Sequence, residues 1–299
     1  MTKGADTLPR AQQVQLRAAD GYVLTALRYP AHGAVDGHLV VAGATGVPQR
    51  FYRRFAEHAS AQGFTTLTLD YRGIGLSRPA SLKGFRMDYL DWARLDLAAA
   101  VDAMASDTPP LFMVGHSFGG HAFGLLPNHD RVARFYTFAT GAGWHGWMPP
   151  LEQLRVLVMW RLLGPLLTRW KGYLPWRLLG MGEDLPLNVY RQWKHWCRYP
   201  HYFFDDPAMA HVAESFAQVR TPIIAANALD DHWAPPRSRD AFMAGYPKAA
   251  WQAVDVDPRR AGLGPVGHMG YFRPAARPLW DGVLDWFRLH PPATTPTIV

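Results

Sequence analysis

The stretch "LFMVGHSFGGHAFG", beginning at Leu111, limits what this chain can fold into more than any other. A short apolar run, residues 111–114, leads into Gly115-His116-Ser117-Phe118-Gly119, and a helical pattern follows. Glycines two before and two after a serine, between a strand and a helix, mark a turn too crowded for side chains. Such a turn strains the backbone and lifts the serine hydroxyl above the end of a sheet. Serine is a weak nucleophile until a base reaches it and a carboxylate orients that base.

The rest of the chain offers both partners. In folds built on this turn, the order along the chain is serine, acid, histidine. "TPIIAANALDDHWAPP" places Asp230 and Asp231 just past a buried apolar run. The carboxyl ends of strands are where catalytic groups gather in open α/β sheets. "GPVGHMGYFRP" places His268 in a glycine-rich loop before the last helical pattern. Of the 13 histidines, only His268 combines that order with that loop. The residues alone leave the choice between Asp230 and Asp231 open. His116 and His121 flank the serine with no spaced ligand set, which predicts packing or hydrogen bonding rather than metal binding. Cys197 has no paired base, which predicts a buried structural thiol.

Periodicity supplies the scaffold. Two β-rich runs flank Asp20-Gly21, a hairpin signal. Strands are expected at 38–41, 64–69, 111–114, 134–139, 221–226 and 251–256. Helices are expected at 50–61, 87–105 and 279–289. Alternation of this kind implies a parallel sheet covered by helices. The rhythm breaks between 141 and about 205. Seven of the 12 tryptophans fall there, and repeated prolines cut the segment into short helices. Residues 141–200 carry eight Lys/Arg against three Asp/Glu, so most of the chain's net charge of +7 is local.

Two further spacings matter. Asp231-His232-Trp233-Ala234-Pro235 reads D-x-x-x-P, and "DYRGIGLS" from Asp70 reads D-x-R-G-x-G-x-S. With the serine turn, they resemble the α/β-hydrolase superfamily over nearly the whole chain. "GATGVPQRFYRRFA", "GEDLP", "RQWKHWCRYP" and "GHMGYFR" further resemble a bacterial group of capped hydrolases related to serine aminopeptidase-like and monoglyceride-lipase-like enzymes. The resemblance implies an α/β-hydrolase fold, with a mostly parallel eight-stranded sheet flanked by helices. It implies a core formed by 1–140 and 206–299 and a helical cap formed by 141–205. It assigns Ser117 as nucleophile, His268 as base and Asp231, rather than Asp230, as the orienting acid. It places the oxyanion donors at the backbone N–H groups of Thr45 and Phe118, and makes the "DYRGIGLS" loop structural.

The implied chemistry is cleavage of an ester, a thioester or an amide of an apolar acyl group through an acyl-enzyme, with no cofactor and no metal. Acyl transfer or C–C bond hydrolysis on the same triad is the alternative, as is a non-catalytic binding or sensing protein. Gly43-Ala44-Thr45-Gly46 imitates a nucleotide-binding turn, but Val47-Pro48-Gln49 supplies no third glycine at the required spacing. Basic residues form no nucleic-acid signature. The basic cap suits an anionic substrate group or a weak association with a membrane surface. Its tryptophans, with Tyr202, Phe203 and Phe204, are candidates to line an acyl pocket or to form the cap's own core. One cysteine excludes an internal disulfide, and "MTKGADTLPRAQQ" lacks the apolar core of a secretion signal; both point to the cytoplasm.

Overall fold

The computed structural model describes residues 10–290. Among them, eight strands form one sheet in the order β1-β2-β4-β3-β5-β6-β7-β8. β1 (Gln12–Arg17) and β2 (Val23–Tyr29) form the expected hairpin around Asp20-Gly21. β2 also runs antiparallel to β4 (Phe64–Leu69). β3 (Gly37–Ala42), β5 (Leu111–His116), β6 (Arg134–Phe138), β7 (Ile223–Ala228) and β8 (Trp251–Val256) continue the sheet in parallel. β4, β5 and β7 are buried at every position, as parallel strands covered on both faces must be.

Helices cover both faces. On one side α1 (Arg53–Ala61) packs with the closing helix, which runs Arg277–Arg288. That closing helix buries Trp280, Val283, Leu284 and Phe287, the spacing of one helical face. Phe287 stacks on Phe112 of β5 with ring centroids 4.6 Å apart, which ties the helix to the central strand. On the other side lies α2 (Ala98–Met104), entered through a wide helical turn at Trp92–Leu97. The pattern at 87–105 predicted helix from Met87, but the helix begins only at Asp91. Tertiary bonds decide this: the N–H of Asp88 donates to the Asp91 carboxylate, and the N–H of Tyr89 donates to Gln192.

The loop after β4 is held by charge. Arg72 is buried and pairs with the fully buried Asp96 and with Asp20. Asp70 accepts the N–H groups of Gln49 and Leu76. The "DYRGIGLS" loop is therefore a structural clamp.

β6 and β7 are neighbours in the sheet, yet 84 residues, 139–222, separate them in the chain. This crossover carries α4 (Pro150–Val158), a wide turn at Met159–Leu163, α5 (Gly164–Lys171), α6 (Leu187–Trp196) and α7 (Ala210–Phe216). Glu183 and Asp184 fasten it to the sheet side: Glu183 pairs with Arg50, Asp184 with Arg78, and the N–H of Glu183 donates to the Gly46 carbonyl at 2.8 Å. No helix among the described residues is long and apolar enough to cross a membrane.

Candidate active site

Ser117 sits at the C-terminal end of β5 with φ +52°, a region that non-glycine residues rarely occupy. The four-residue helix α3 (Phe118–His121) follows at once. The flanking glycines are required. A Cβ on Gly119 would lie 2.1 Å from the Ala42 carbonyl oxygen, and one on Gly115 would lie 2.7 Å from the Gly119 backbone. A strained serine therefore persists because its neighbours leave no other path.

Three side chains remote in sequence meet here. His268 Nε2 is 3.1 Å from Ser117 Oγ, and His268 Nδ1 is 3.0 Å from Asp231 Oδ2. Asp231 is fully buried, and its Oδ1 accepts the N–H groups of Trp233 and Ala234 at 3.0 and 2.9 Å. Burial alone would raise its carboxyl. The facing His268 and the two N–H donors outweigh that and hold it below the ordinary carboxylate value. Asp230 points elsewhere. It accepts the N–H groups of Val266 and Gly267, both at 2.9 Å, and so fastens the loop that carries His268.

Thr45, on the loop after β3, lines the same cavity as Ser117, and Phe118 follows Ser117 as the first residue of α3. Among the described residues no acceptor takes the backbone N–H of either. Tyr89 braces both residues: its hydroxyl bonds the Thr45 hydroxyl, and its ring stacks on Phe118 with centroids 4.5 Å apart.

A second connection was not legible in the sequence. The Ala44 N–H donates to the Tyr52 hydroxyl at 2.7 Å. That hydroxyl lies 2.9 Å from His116 Nδ1, and His116 Nε2 lies 2.9 Å from the His268 carbonyl oxygen. One self-consistent proton arrangement has Tyr52 donating to Nδ1 and Nε2–H donating to the carbonyl. His116, the residue before the serine, thus links the β3 loop to the histidine loop. Burial, with His268 nearby, lowers its pKa to about 3, so the ring is neutral at ordinary pH. His121 Nε2–H donates to the Gly141 carbonyl at 2.8 Å, and burial lowers its pKa to about 4. Cys197 is buried, and burial pushes its thiol up, away from the nucleophilic thiolate.

Ser117 and His268 open into a cavity of about 520 Å³. Phe51, Trp176, Met181, Trp193, Trp233 and Met269 supply its apolar wall. Trp176, Trp193 and Trp233 form a ladder, with successive centroids 5.2 and 6.0 Å apart, that ends 6.2 Å from the His268 ring. Of the crossover's tryptophans only Trp176 and Trp193 line this cavity. Tyr202 and Phe203 are buried elsewhere, packed with Phe204, Phe216 and Phe242.

A hydroxyl bonded to an imidazole, whose far nitrogen faces a buried carboxylate, can give up its proton on attacking an acyl carbon. This turn at the end of β5, with acid and histidine loops after later strands, defines the α/β-hydrolase class. Residues 34–194, more than half of the chain, match the family model for serine aminopeptidase, S33, and the chain belongs to that family. A curated relative is the monoglyceride lipase of Saccharomyces cerevisiae, 28% identical over 159 residues. That match covers 50% of this chain and 47% of the lipase, so the chain spans about half the length of the relative. Among solved structures, a soluble variant of the same yeast lipase bound to a substrate analogue superposes with TM-score 0.65 at 17% identity, covering 97% of this chain and 98% of that one. A thermophilic esterase from Thermogutta terrifontis gives TM-score 0.59 at 15% identity over 94% of this chain and 100% of its own. Likeness at these identities extends to the fold.

Proposed function

We propose that this hydrolase is a serine esterase acting on an apolar acyl group. Ser117 Oγ attacks the acyl carbon while His268 Nε2 takes its proton. Asp231 holds the ring by Nδ1 and stabilises its charged form. The N–H groups of Thr45 and Phe118 receive the oxyanion, a contribution of about 3–4 kcal/mol per donor in comparable sites. His268 returns the proton to the leaving alcohol. It then draws a proton from water, whose oxygen attacks the acyl-enzyme, releases the acid and restores Ser117. No step needs a cofactor. A thioester or amide would follow the same course.

The observation that carries this reading is the line Asp231–His268–Ser117 opening onto the tryptophan-lined cavity. Residues 141–205 act as a cap over it, with the described residues of 1–140 and 206–299 as the core. Roofing the serine this way excludes water and strengthens the electrostatics beneath. The lone cysteine, free of any disulfide, fits a cytoplasmic setting.

The test is the specificity constant over p-nitrophenyl esters from acetate to palmitate, with fluorophosphonate labelling as the partner measurement. Rising constants from acetate to a medium chain, with covalent labelling of Ser117, are expected. A monotonic fall from acetate onward overturns the apolar acyl pocket. Failure to label overturns the serine chemistry and favours a non-catalytic binding protein. Esters recovered in place of acids when alcohols are supplied would shift the reading to acyl transfer.

A further inference from the structure

The face of α6 opposite the catalytic cavity borders a second cavity. It lies between α5 and α6 and measures about 590 Å³. Arg169 enters from α5, Arg191 and Lys194 from α6, and Arg198 from the residues just beyond. No aspartate or glutamate is among its lining residues. Elsewhere in this segment Arg155 pairs with Glu152 and Arg177 with Glu183, while Arg161 and Lys171 have no carboxylate partner among the described residues. Among the described residues Arg169, Arg191 and Lys194 have no carboxylate partner, and Arg198 turns its guanidinium to His195. Beyond that end, Asp206 is occupied by His195 and the Trp196 indole, and Asp205 by His201.

Gathering four like charges in one concavity raises the free energy of the unliganded protein, and an anion relieves it. The chemistry of the lining narrows the anion. Three guanidinium forks and an ammonium match the oxygens of a tetrahedral dianion better than a single carboxylate. Tyr190, buried with its hydroxyl unpartnered, is a further neighbour that lines the same cavity. Lys194 is half-buried with its ammonium over the Tyr190 ring, and Arg169, Arg191 and Arg198 are exposed around it.

We propose that this cavity is a binding site for a phosphate group, separate from the Ser117 cavity and on the other face of the same helix. The phosphate belongs either to a soluble phosphate ester or to an anionic phospholipid. The second source has support beside the cavity: Leu162, Leu166 and Trp170 are 55%, 59% and 67% exposed on the turn and helix that also carry Arg169. The site is independent of the serine chemistry, so Ser117→Ala leaves it intact.

The experiment uses the full chain and three probes: inorganic phosphate by calorimetry, sedimentation with phosphatidylcholine vesicles, and sedimentation with vesicles in which a third of that lipid is replaced by phosphatidic acid. Charge reversal, Arg191→Glu with Lys194→Glu, is paired with the neutral Arg191→Gln with Lys194→Met, and each is checked for unchanged p-nitrophenyl ester turnover as evidence of folding. Binding of free phosphate that both variants weaken roughly tenfold or more, the reversed one further, supports the site with a soluble ligand. The same losses on phosphatidic-acid vesicles, with phosphatidylcholine alone unbound, support it with a lipid headgroup. Leu162→Ser with Trp170→Ser then weakens the vesicle arm only. The proposal is overturned if the wild type binds neither phosphate nor anionic vesicles above the neutral ones. It is equally overturned if the turnover-competent variants bind as the wild type does.

Discussion

The serine turn and the crossover between β6 and β7 are built on opposite principles. Around Ser117 the constraints are mainly steric, and they come both from the turn itself and from the neighbouring strand β3. Gly115 and Gly119 are there because a Cβ would strike backbone, and the φ of +52° follows from that crowding. The crossover has no such grammar. Its helices are held by long-range charge pairs, Arg50–Glu183 and Arg78–Asp184, and by an aromatic ladder that runs from Trp176 to His268. On the proposed function, the contrast teaches that reaction chemistry and substrate choice reside in different kinds of structure. The first tolerates almost no substitution. The second is adjustable, because a tryptophan in a cavity wall can change size without disturbing the sheet.

The sharpest break in that comparison is Ser117→Ala or His268→Ala. Each is expected to lower ester turnover by more than a hundredfold, since removing either member of such a unit costs far more than that elsewhere. Unfolding stability should stay within about 1 kcal/mol for Ser117→Ala, because only a half-buried hydroxyl is lost. Denaturant melts beside the kinetics separate the two effects, and residual activity above about a hundredth of the wild type sinks the assignment.

Next in size is the pair of aspartates. Asp231→Asn removes the charge that faces His268, and Asp230→Asn loosens only the loop at Val266 and Gly267. Turnover should fall more with the first, and the second should appear mainly as lower thermal stability. A larger kinetic loss in Asp230→Asn reverses the assignment of the acid.

A pH change then probes the buried histidines beneath the turn. His116 and His121 titrate at about 3 and about 4 in the folded protein, below the ordinary 6.5. Between those values the unfolded chain binds protons that the folded chain refuses. Stability is therefore full above about pH 6.5 and declines as pH falls toward the native values. By pH 5 each contributes a loss of about 2 kcal/mol. Comparing denaturant midpoints at pH 7 and pH 5 checks this, and His121→Gln should flatten the difference. An unchanged midpoint in the wild type contradicts it.

The smallest effect lies in the adjustable region. Each methylene buried in the cavity adds up to about 0.8 kcal/mol to binding until the wall is reached. Trp176→Ala should move the best acyl chain to a longer one and leave acetate turnover nearly constant. If acetate and longer esters fall together, Trp176 supports the catalytic groups and does not set the acyl length.

How much was legible follows the same divide. The strand at 64–69, the hairpin at Asp20-Gly21 and the strand–turn–helix at Ser117 could be read because their determinants are neighbours in sequence. The start of the 87–105 helix could not, because bonds to Asp91 and to the distant Gln192 set it. Tyr52 and Tyr89 left no signal, since a tyrosine that braces an active-site loop looks like any core tyrosine until its hydroxyl finds a partner. The aromatic residues of the crossover were legible as a class but not by role: Trp176 and Trp193 reach the cavity, while Tyr202 and Phe203 turn inward.

The sequence by itself determined the sheet, the crowded serine turn and the chain order of the groups that meet it, because hydrophobic periodicity and the glycine pattern around Ser117 are each written within a few residues. The tertiary structure alone decided that Asp230 pins the His268 loop, and which side of α6 faces the serine and which gathers cations without a carboxylate partner; the choice of Asp231 over Asp230 was already favoured by the resemblance. Those outcomes depend on distances between residues far apart in sequence, and such distances exist only once the loops and the crossover have packed on the sheet.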